Sequence, residues 1–138
     1  VASAVNNLGL VLKALGELAG ARAAYERALA ILEKVHGPEH PEVASVVNNL
    51  GSVLQDLGEL AGARAALERA LAIDEKVYGL EHPEVASAVN NLGLVLKALG
   101  ELAGARAALE RALAIREKVY GPEHPKTKAT RAKLDELT

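Results

Sequence analysis

A fixed offset of 42 residues governs this chain. Asn6-Asn7-Leu8-Gly9 returns as Asn48-Asn49-Leu50-Gly51 and again as Asn90-Asn91-Leu92-Gly93. Divided at residues 1–42, 43–84 and 85–126, the first and third blocks differ at only four positions. A period of that size signals a stacked array, in which each unit buries its apolar side against its neighbours and not in a central core. Function in such an array belongs to a repeated surface, because a stack has no single central cleft.

Each block reads as two helices. His40-Pro41-Glu42 and its copy His82-Pro83-Glu84 open the first: Pro is pre-set for the first helical position, and Glu complements the positive helix end. From Pro41 to Leu57, Val43, Val46, Val47, Leu50, Val53, Leu54 and Leu57 recur at three- and four-residue steps, the helical period. Gly58 supplies a left-handed stop. A second helix is predicted from about Leu60 to Tyr78, with Ala63, Ala66, Leu67, Ala70, Leu71 and Ile73 on its apolar side, and Gly79 closes it. Connections this short make neighbouring helices antiparallel. Gly51 falls on the apolar stripe, where the missing side chain lets the partner helix come close. Gly20, Gly62 and Gly104 sit early in the second helix, where Gly costs about 1 kcal/mol against Ala; close helix approach would explain them too.

The ends differ. Pro125 to Leu137 aligns with a first helix whose inward Val85, Val89 and Gly93 have become Thr127, Arg131 and Asp135, while Leu134 and Leu137 stay apolar. This predicts a half-solvated terminal helix, the device a stack needs at an exposed end. At the other end Val1 begins inside a first helix without the His-Pro-Glu entry, so Val5, Leu8 and Leu12 are expected to have an uncovered flank. The chain starts at Val1, not Met, and carries no signal peptide, so it reads as a piece of a longer protein.

Composition narrows the function classes. Net charge is −2 with both signs interspersed, which steers the chain toward neither nucleic acid nor an anionic membrane. Apolar runs are broken by charge or Gly, so no membrane span is expected. Cysteine is absent, which removes a disulfide framework and thiolate metal sites; a reducing cytoplasm is the default compartment. Phe, Trp and Met are absent as well, so the core is thin, built of Ala, Leu and Val. No cofactor is expected. His40, His82 and His124 recur once per block and form a row, whereas metal ligands must converge, so they are read as helix-entry residues and no metal site is assigned. His36, in the place of Tyr78 and Tyr120, is read as a packing or surface substitute. Arg22, Glu26, Arg27, Glu33 and Lys34 form a solvated outer face with some i,i+4 pairing. Catalysis needs an asymmetric constellation in a dry pocket, and near-identical units do not supply one; the chain is not read as an enzyme.

The pattern Leu50-Gly51, Leu54, Gly58, Ala63, Leu67, Ala70 resembles the tetratricopeptide signature of small and large residues on a helix pair. With VNNLG, HPEVAS and RALAIREKVYGPEHP, the unit is similar to the 42-residue form found in kinesin light chains and many bacterial signalling proteins, over residues 1 to about 126. The aromatic positions of the signature are mostly Leu or Val here. Scattered differences between blocks (Leu10/Ser52/Leu94, Lys13/Gln55/Lys97, Leu32/Asp74/Arg116) favour natural duplication over consensus design. The resemblance implies an all-α, right-handed solenoid of antiparallel helix pairs: a single domain over 1–138, with repeats 1–42, 43–84 and 85–126 and a terminal helix over 125–137.

It further implies that the first helices line a concave groove. Projecting their apolar stripe inward leaves Ser3, Asn6, Asn7, Leu10, Lys13 and Ala14, then Ser45, Asn48, Asn49, Ser52, Gln55 and Asp56, then Ser87, Asn90, Asn91, Leu94, Lys97 and Ala98 facing that groove. Asn is a mediocre helix former, yet a pair recurs in every block, and an amide offers both donor and acceptor to an extended backbone. Packed helices lie about 8–10 Å apart and an extended chain advances roughly 3.3 Å per residue, so such a ladder would meet every third ligand residue or so. In kinesin light chains the corresponding Asn residues help hold cargo peptides. The bland alternative is that one Asn of each pair bonds within the stack. Leu10, Leu94, Lys13, Lys97 and Asp56 would set selectivity, favouring apolar side chains and an acidic one near either Lys.

The expected function is therefore a non-catalytic protein-interaction scaffold with a protein or peptide partner. The alternative is a structural array that self-associates end to end through its uncapped first unit. RNA reading by helical repeats requires a basic groove, and Lys13 and Lys97 alone do not make one.

Overall fold

The computed structural model describes residues 2–137. It contains seven helices, and no strand among the described residues: α1 (Ala2–Ala14), α2 (Leu18–His36), α3 (Pro41–Asp56), α4 (Leu60–Tyr78), α5 (Pro83–Ala98), α6 (Leu102–Tyr120) and α7 (Pro125–Asp135). The helix predicted over Leu60–Tyr78 is found with those bounds. That predicted to Leu57 stops at Asp56 with Leu57 as its cap, and the terminal helix ends at Asp135, short of Leu137. No described helix is long and apolar enough to cross a membrane.

The chain divides into two compact units at Ile73/Asp74, within α4. In unit 1, α2 packs against both α1 and α3; in unit 2, α6 packs against both α5 and α7. The predicted stripe of α3 is the buried one: Val43, Val46, Val47, Leu50, Val53 and Leu54 lie inside, and Ala63, Leu67, Ala70 and Ile73 of α4 are buried as well.

Helix entries and exits follow from single residues. His40, His82 and His124 each sit in extended backbone, and each Nδ1 accepts the N–H two residues on, from Glu42, Glu84 and Lys126, at 3.0–3.1 Å. This satisfies one of the orphan donors of the first turn. The same rings stack on His36, Tyr78 and Tyr120, with centroids 4.1, 4.1 and 4.3 Å apart. His36 is thus a packing substitute for Tyr, as expected. At the exits Gly58 and Gly79 hold φ of 80° and 88°, the left-handed region that L side chains avoid.

Gly51 permits close packing. A methyl there would lie 2.8 Å from Leu67 Cγ and 3.5 Å from the Ala63 carbonyl oxygen. The same explanation fails for Gly20, Gly62 and Gly104, where an added methyl would make ordinary contacts of 3.4–3.6 Å with Leu12, Leu54 and Leu96. Their neighbours are flexible leucine tips and not backbone, so no close approach requires Gly.

The first unit departs from its copies at Tyr25, which stands where Leu67 and Leu109 pack. Its ring is fully buried against Gly9, and its hydroxyl has no hydrogen-bond partner among the described residues. Burial pushes its pKa upward. The uncovered flank of α1 is also placed differently from expectation. Val1 lies outside the described residues, Val5 is buried and Leu12 half-buried. The exposed residues are Leu8 (52%), Val11 (55%) and Leu15, whereas Leu50 and Val53 are 9% and 0% exposed. Val5 is buried like its counterparts Val47 and Val89, and α1 packs on α2 and α3 among the described residues.

At the far end Thr127 is buried and donates to the Arg116 carbonyl oxygen at 3.3 Å, while Asp135 is exposed and Arg131 and Leu134 are half-buried. The terminal helix is half-solvated, as its sequence predicts.

Outer charges pair between successive second helices as well as along them. Arg22–Glu26 and Arg64–Glu68 are i,i+4 pairs at 3.6 Å. Arg69–Glu33 and Arg111–Glu75 bridge neighbouring second helices at 2.6 Å each. Exposed pairs like these contribute little individually, about 0–1 kcal/mol.

Candidate functional site

Each unit presents a polar face built from its first helices. In unit 1 the face combines α1 and α3. Asn49 Nδ2 donates to Asn6 Oδ1 at 3.4 Å, and Lys13 Nζ donates to Ser52 Oγ at 2.6 Å. Asn7 and Leu10 are exposed beside them; Asn6, Asn48, Asn49, Ser52 and Gln55 are half-buried, and Asp56 is exposed. The structure thus links two pairs of the predicted residues across α1 and α3, Asn6 with Asn49 and Lys13 with Ser52.

In unit 2 the face combines α5 and α7. Asn90, Asn91, Leu94 and Lys97 are half-buried. Lys97 Nζ binds Glu136 Oε1 at 3.1 Å, and this bond with Lys97, aided by Lys133, holds the Glu136 carboxyl below its usual range. Thr130 Oγ1 lies 3.1 Å from both Asn90 Oδ1 and the Lys126 carbonyl oxygen, so its one hydrogen is shared between them.

The amides therefore bond partly within the protein, and Asn48 and Asn91 also have polar partners. One such bond does not exhaust an amide, which has two donor hydrogens and an oxygen with two lone pairs. Asn6 keeps its NH2 group and Asn49 its oxygen. Lys13 is bonded to a neutral hydroxyl and keeps its charge for an anion; Lys97 must leave Glu136 to meet one.

Beneath these faces lies a position that sequence reasoning recorded only as a difference between blocks: Leu32, Asp74 and Arg116. All three are buried, with Asp74 4% and Arg116 7% exposed. The legible signal was that residue 74 continues the stripe 63–67–70 at helical spacing, so a charge there enters apolar surroundings. In unit 1 Leu32 floors a recess of about 90 Å³ that is rimmed by Ser3, Asn6, Glu42 and Ser45. In unit 2 Arg116 reaches across to α7: its Nη1 donates to Thr130 Oγ1 at 2.7 Å and to the Lys126 carbonyl oxygen at 3.4 Å, while its Nε is buried without a partner among the described residues. Burial lowers the Arg116 pKa, with Tyr120 acting in the opposite sense. The Asp74 carboxyl is pushed up to about 6, first by desolvation and then by the neighbouring Glu84.

His36, His40 and Glu42 bring three potential ligand atoms within 4.8 Å of one another. The arrangement does not suit a metal. The two rings are stacked with planes 17° apart, so their in-plane lone pairs run side by side without converging. The His40 Nδ1 lone pair is also taken by the Glu42 N–H. Glu42 instead meets His36 Nε2 at 3.0 Å.

Compared with family models, the chain matches the one described as tetratricopeptide repeat over residues 1–76, 42–118 and 84–134. Compared by sequence with curated proteins, it matches none. Among solved structures it is similar to BtubC (BKLC) from P. vanneervenii, with a TM-score of 0.89 and 26% identity over 99% of this chain and 54% of that one. It is equally similar to a putative kinesin light chain from Podospora anserina with nearly identical TPR-like repeats: TM-score 0.89, 27% identity, 98% of this chain and 64% of that one. The chain thus spans between half and two thirds of these two structures. The first TPR of Spaghetti (RPAP3), bound to the HSP90 peptide SRMEEVD, shares the fold at TM-score 0.72 and 18% identity, over 99% of this chain and 89% of that one.

Proposed function

Because the chain belongs to the tetratricopeptide repeat family, we propose that it is a non-catalytic interaction module holding an extended peptide against the Asn-bearing faces of its first helices. The observation that carries this reading is the lateral Asn6–Asn49 link. It fixes two amides on one surface while leaving a donor group on one and an acceptor on the other, the pair that an extended backbone needs. The Spaghetti structure supports the reading to the extent that the same fold there carries a peptide.

Each amide bond contributes only about 0.5–1.5 kcal/mol net, so the amides supply register and the neighbouring side chains supply selectivity. Leu10 and Leu94 offer apolar contact, and Lys13 offers a charge. The test is selection from a displayed peptide library followed by affinity measurement on the Asn49→Ala/Asn91→Ala double variant. Affinity for the selected peptides should fall roughly tenfold or more, with the unfolding midpoint recorded alongside. An unchanged affinity in a folded double variant contradicts the reading.

A second reading rests on the exposed Leu8, Val11 and Leu15 of α1. Leu8 and Val11, whose counterparts Leu50 and Val53 are buried in the second repeat, form a face that can stack on another copy. Mass rising with concentration in light scattering, and restored to the monomer by Leu8→Gln/Val11→Gln, would favour end-to-end association over a peptide ligand.

A further inference from the structure

The third repeat holds a cation where the first holds a cavity. Set back by two periods of 42 residues, Arg116, Lys126 and Thr130 correspond to Leu32, Glu42 and Val46. The former three lie within unit 2 and the latter three within unit 1. In unit 2 the Arg116 guanidinium fills the place: its Nη1 donates to Thr130 Oγ1 at 2.7 Å and to the Lys126 carbonyl oxygen at 3.4 Å. Thr130 Oγ1 in turn lies 3.1 Å from Asn90 Oδ1, and Asn90 is the counterpart of Asn6. In unit 1 Leu32, Glu42 and Val46 line, with Ser3, Asn6 and Ser45, the recess of about 90 Å³. Leu is shorter than Arg, so the space that a guanidinium takes in the third repeat stays open here. A volume far above the ~15 Å³ that admits one water leaves room for a planar group of three nitrogens.

The rim changes with the occupant. Where the guanidinium is built in, the rim residue is Lys126 and the acceptors are a hydroxyl and a carbonyl, both neutral. Where the recess is open, the rim residue is Glu42, and no basic side chain lines the recess among the described residues. Glu42 Oε2 meets His36 Nε2 at 3.0 Å, but a carboxylate has a second oxygen and further lone pairs to offer. Ser3, Ser45 and Asn6 add hydroxyl and amide oxygens. A second cavity of about 360 Å³ shares Leu32 and Glu42 with the recess and is walled by Ile31 and Val35. That apolar wall suits the alkyl stem of a long basic side chain, which covers apolar surface while its head stays with polar groups.

We propose that the unit 1 recess binds the guanidinium group of an arginine side chain carried by the bound peptide, in the place where the third repeat supplies its own; that a peptide carries the group rests on the reading above. A guanidinium presents five N–H donors in a rigid fork, which suits one carboxylate and several neutral oxygens at once. Its bonds to Glu42 are charge-assisted, and the stem lies on Ile31 and Val35. Arginine therefore gains more here than on an open surface, and a neutral side chain of the same shape gains less.

The experiment is an NMR titration of the full chain, observing side-chain carboxyl and amide signals, with acetyl-arginine methylamide and its uncharged isostere acetyl-citrulline methylamide. The arginine probe should shift Glu42 and Asn6 saturably and leave Glu26, on the outer face, unmoved. Citrulline, and arginine on the Glu42→Gln variant, should each bind roughly tenfold more weakly or worse. Leu32→Arg/Val46→Thr rebuilds the Arg116–Thr130 pair in unit 1 and should abolish binding by filling the recess from within. Should that double variant not fold, Glu42→Gln and citrulline decide alone. An unmoved Glu42, equal binding of citrulline, or undiminished binding to folded Glu42→Gln overturns the proposal. The peptide reading is tested apart from it, by the Asn49→Ala/Asn91→Ala variant and library-selected peptides. If those peptides lose affinity while arginine leaves Glu42 unmoved, the peptide face stands and the guanidinium site falls. If arginine binds as stated while peptide affinity is unchanged in that variant, the guanidinium site stands and the Asn-face reading falls.

Discussion

Replacing Asp74 by Leu should stabilise the protein, and the gain should depend on pH in a defined way. The Asp74 carboxyl titrates at about 6 in the fold against 3.8 in a model peptide. Two pK steps at ~1.4 kcal/mol each put the cost of holding the ionised group in place at about 3 kcal/mol near neutral pH. The sign follows from the raised folded pKa. The native state favours the protonated acid, so its contribution is fully present below about pH 4 and is lost as pH rises through about 6. Leu at this position is already accommodated in α2, where Leu32 is buried. The assay is urea unfolding of the parent, Asp74→Leu and Asp74→Asn at pH 3.5 and pH 7.5, reading the difference between proteins at each pH so that other titrating groups cancel. Asp74→Leu should exceed the parent by a margin larger at pH 7.5 than at pH 3.5 by about 3 kcal/mol, and Asp74→Asn should show the same pH trend with a smaller offset. A margin equal at both pH values, or a destabilised variant at pH 7.5, would refute the claim that an ionised carboxylate is held there against its own desolvation.

Four further substitutions have fixed expectations. Gly51→Ala should destabilise by about 1–3 kcal/mol through overpacking on Leu67, whereas Gly62→Ala should stabilise by up to about 1 kcal/mol through helix propensity; calorimetric unfolding showing the same sign for both contradicts the packing account. Tyr25→Phe removes a buried hydroxyl that has no partner among the described residues and should leave stability unchanged or raise it by about 1 kcal/mol, so a loss above that in the same measurement would reveal an unrecognised bond. Thr130→Val leaves Arg116 Nη1 without its 2.7 Å acceptor and should cost about 1–3 kcal/mol, concentrated in α7 as faster amide exchange; uniform exchange along unit 2 would count against it.

The local features of the fold were legible because they depend on residues within one turn of one another. Pro41 and His40 define a helix entry, Gly58 and Gly79 its stops, and the Val43–Leu54 spacing its buried side. Gly51 could be placed on the stripe from spacing alone. Relations between repeats were not legible, because a period of 42 says that units stack without saying which atoms meet. The Asn49–Asn6 and Arg69–Glu33 bonds join residues 43 and 36 apart, separations that bracket the repeat without equalling it. The position shared by Leu32, Asp74 and Arg116 was hidden for a different reason. Helical periodicity assigns a burial, but a charged residue at a buried position reads as a surface variation until its surroundings are seen. The Asn pairs stand between these cases: their recurrence was visible, while their division between internal and outward bonding was not.

The account turns on whether the side-chain amides of the first helices engage a ligand backbone. The most direct measurement is the NMR spectrum of those amide groups with and without a library-selected peptide at saturation. The Asn6, Asn7 and Asn49 side-chain NH2 signals are predicted to shift together and to exchange more slowly with solvent in the complex. A tightly bound peptide that leaves all three signals where they were would contradict the account.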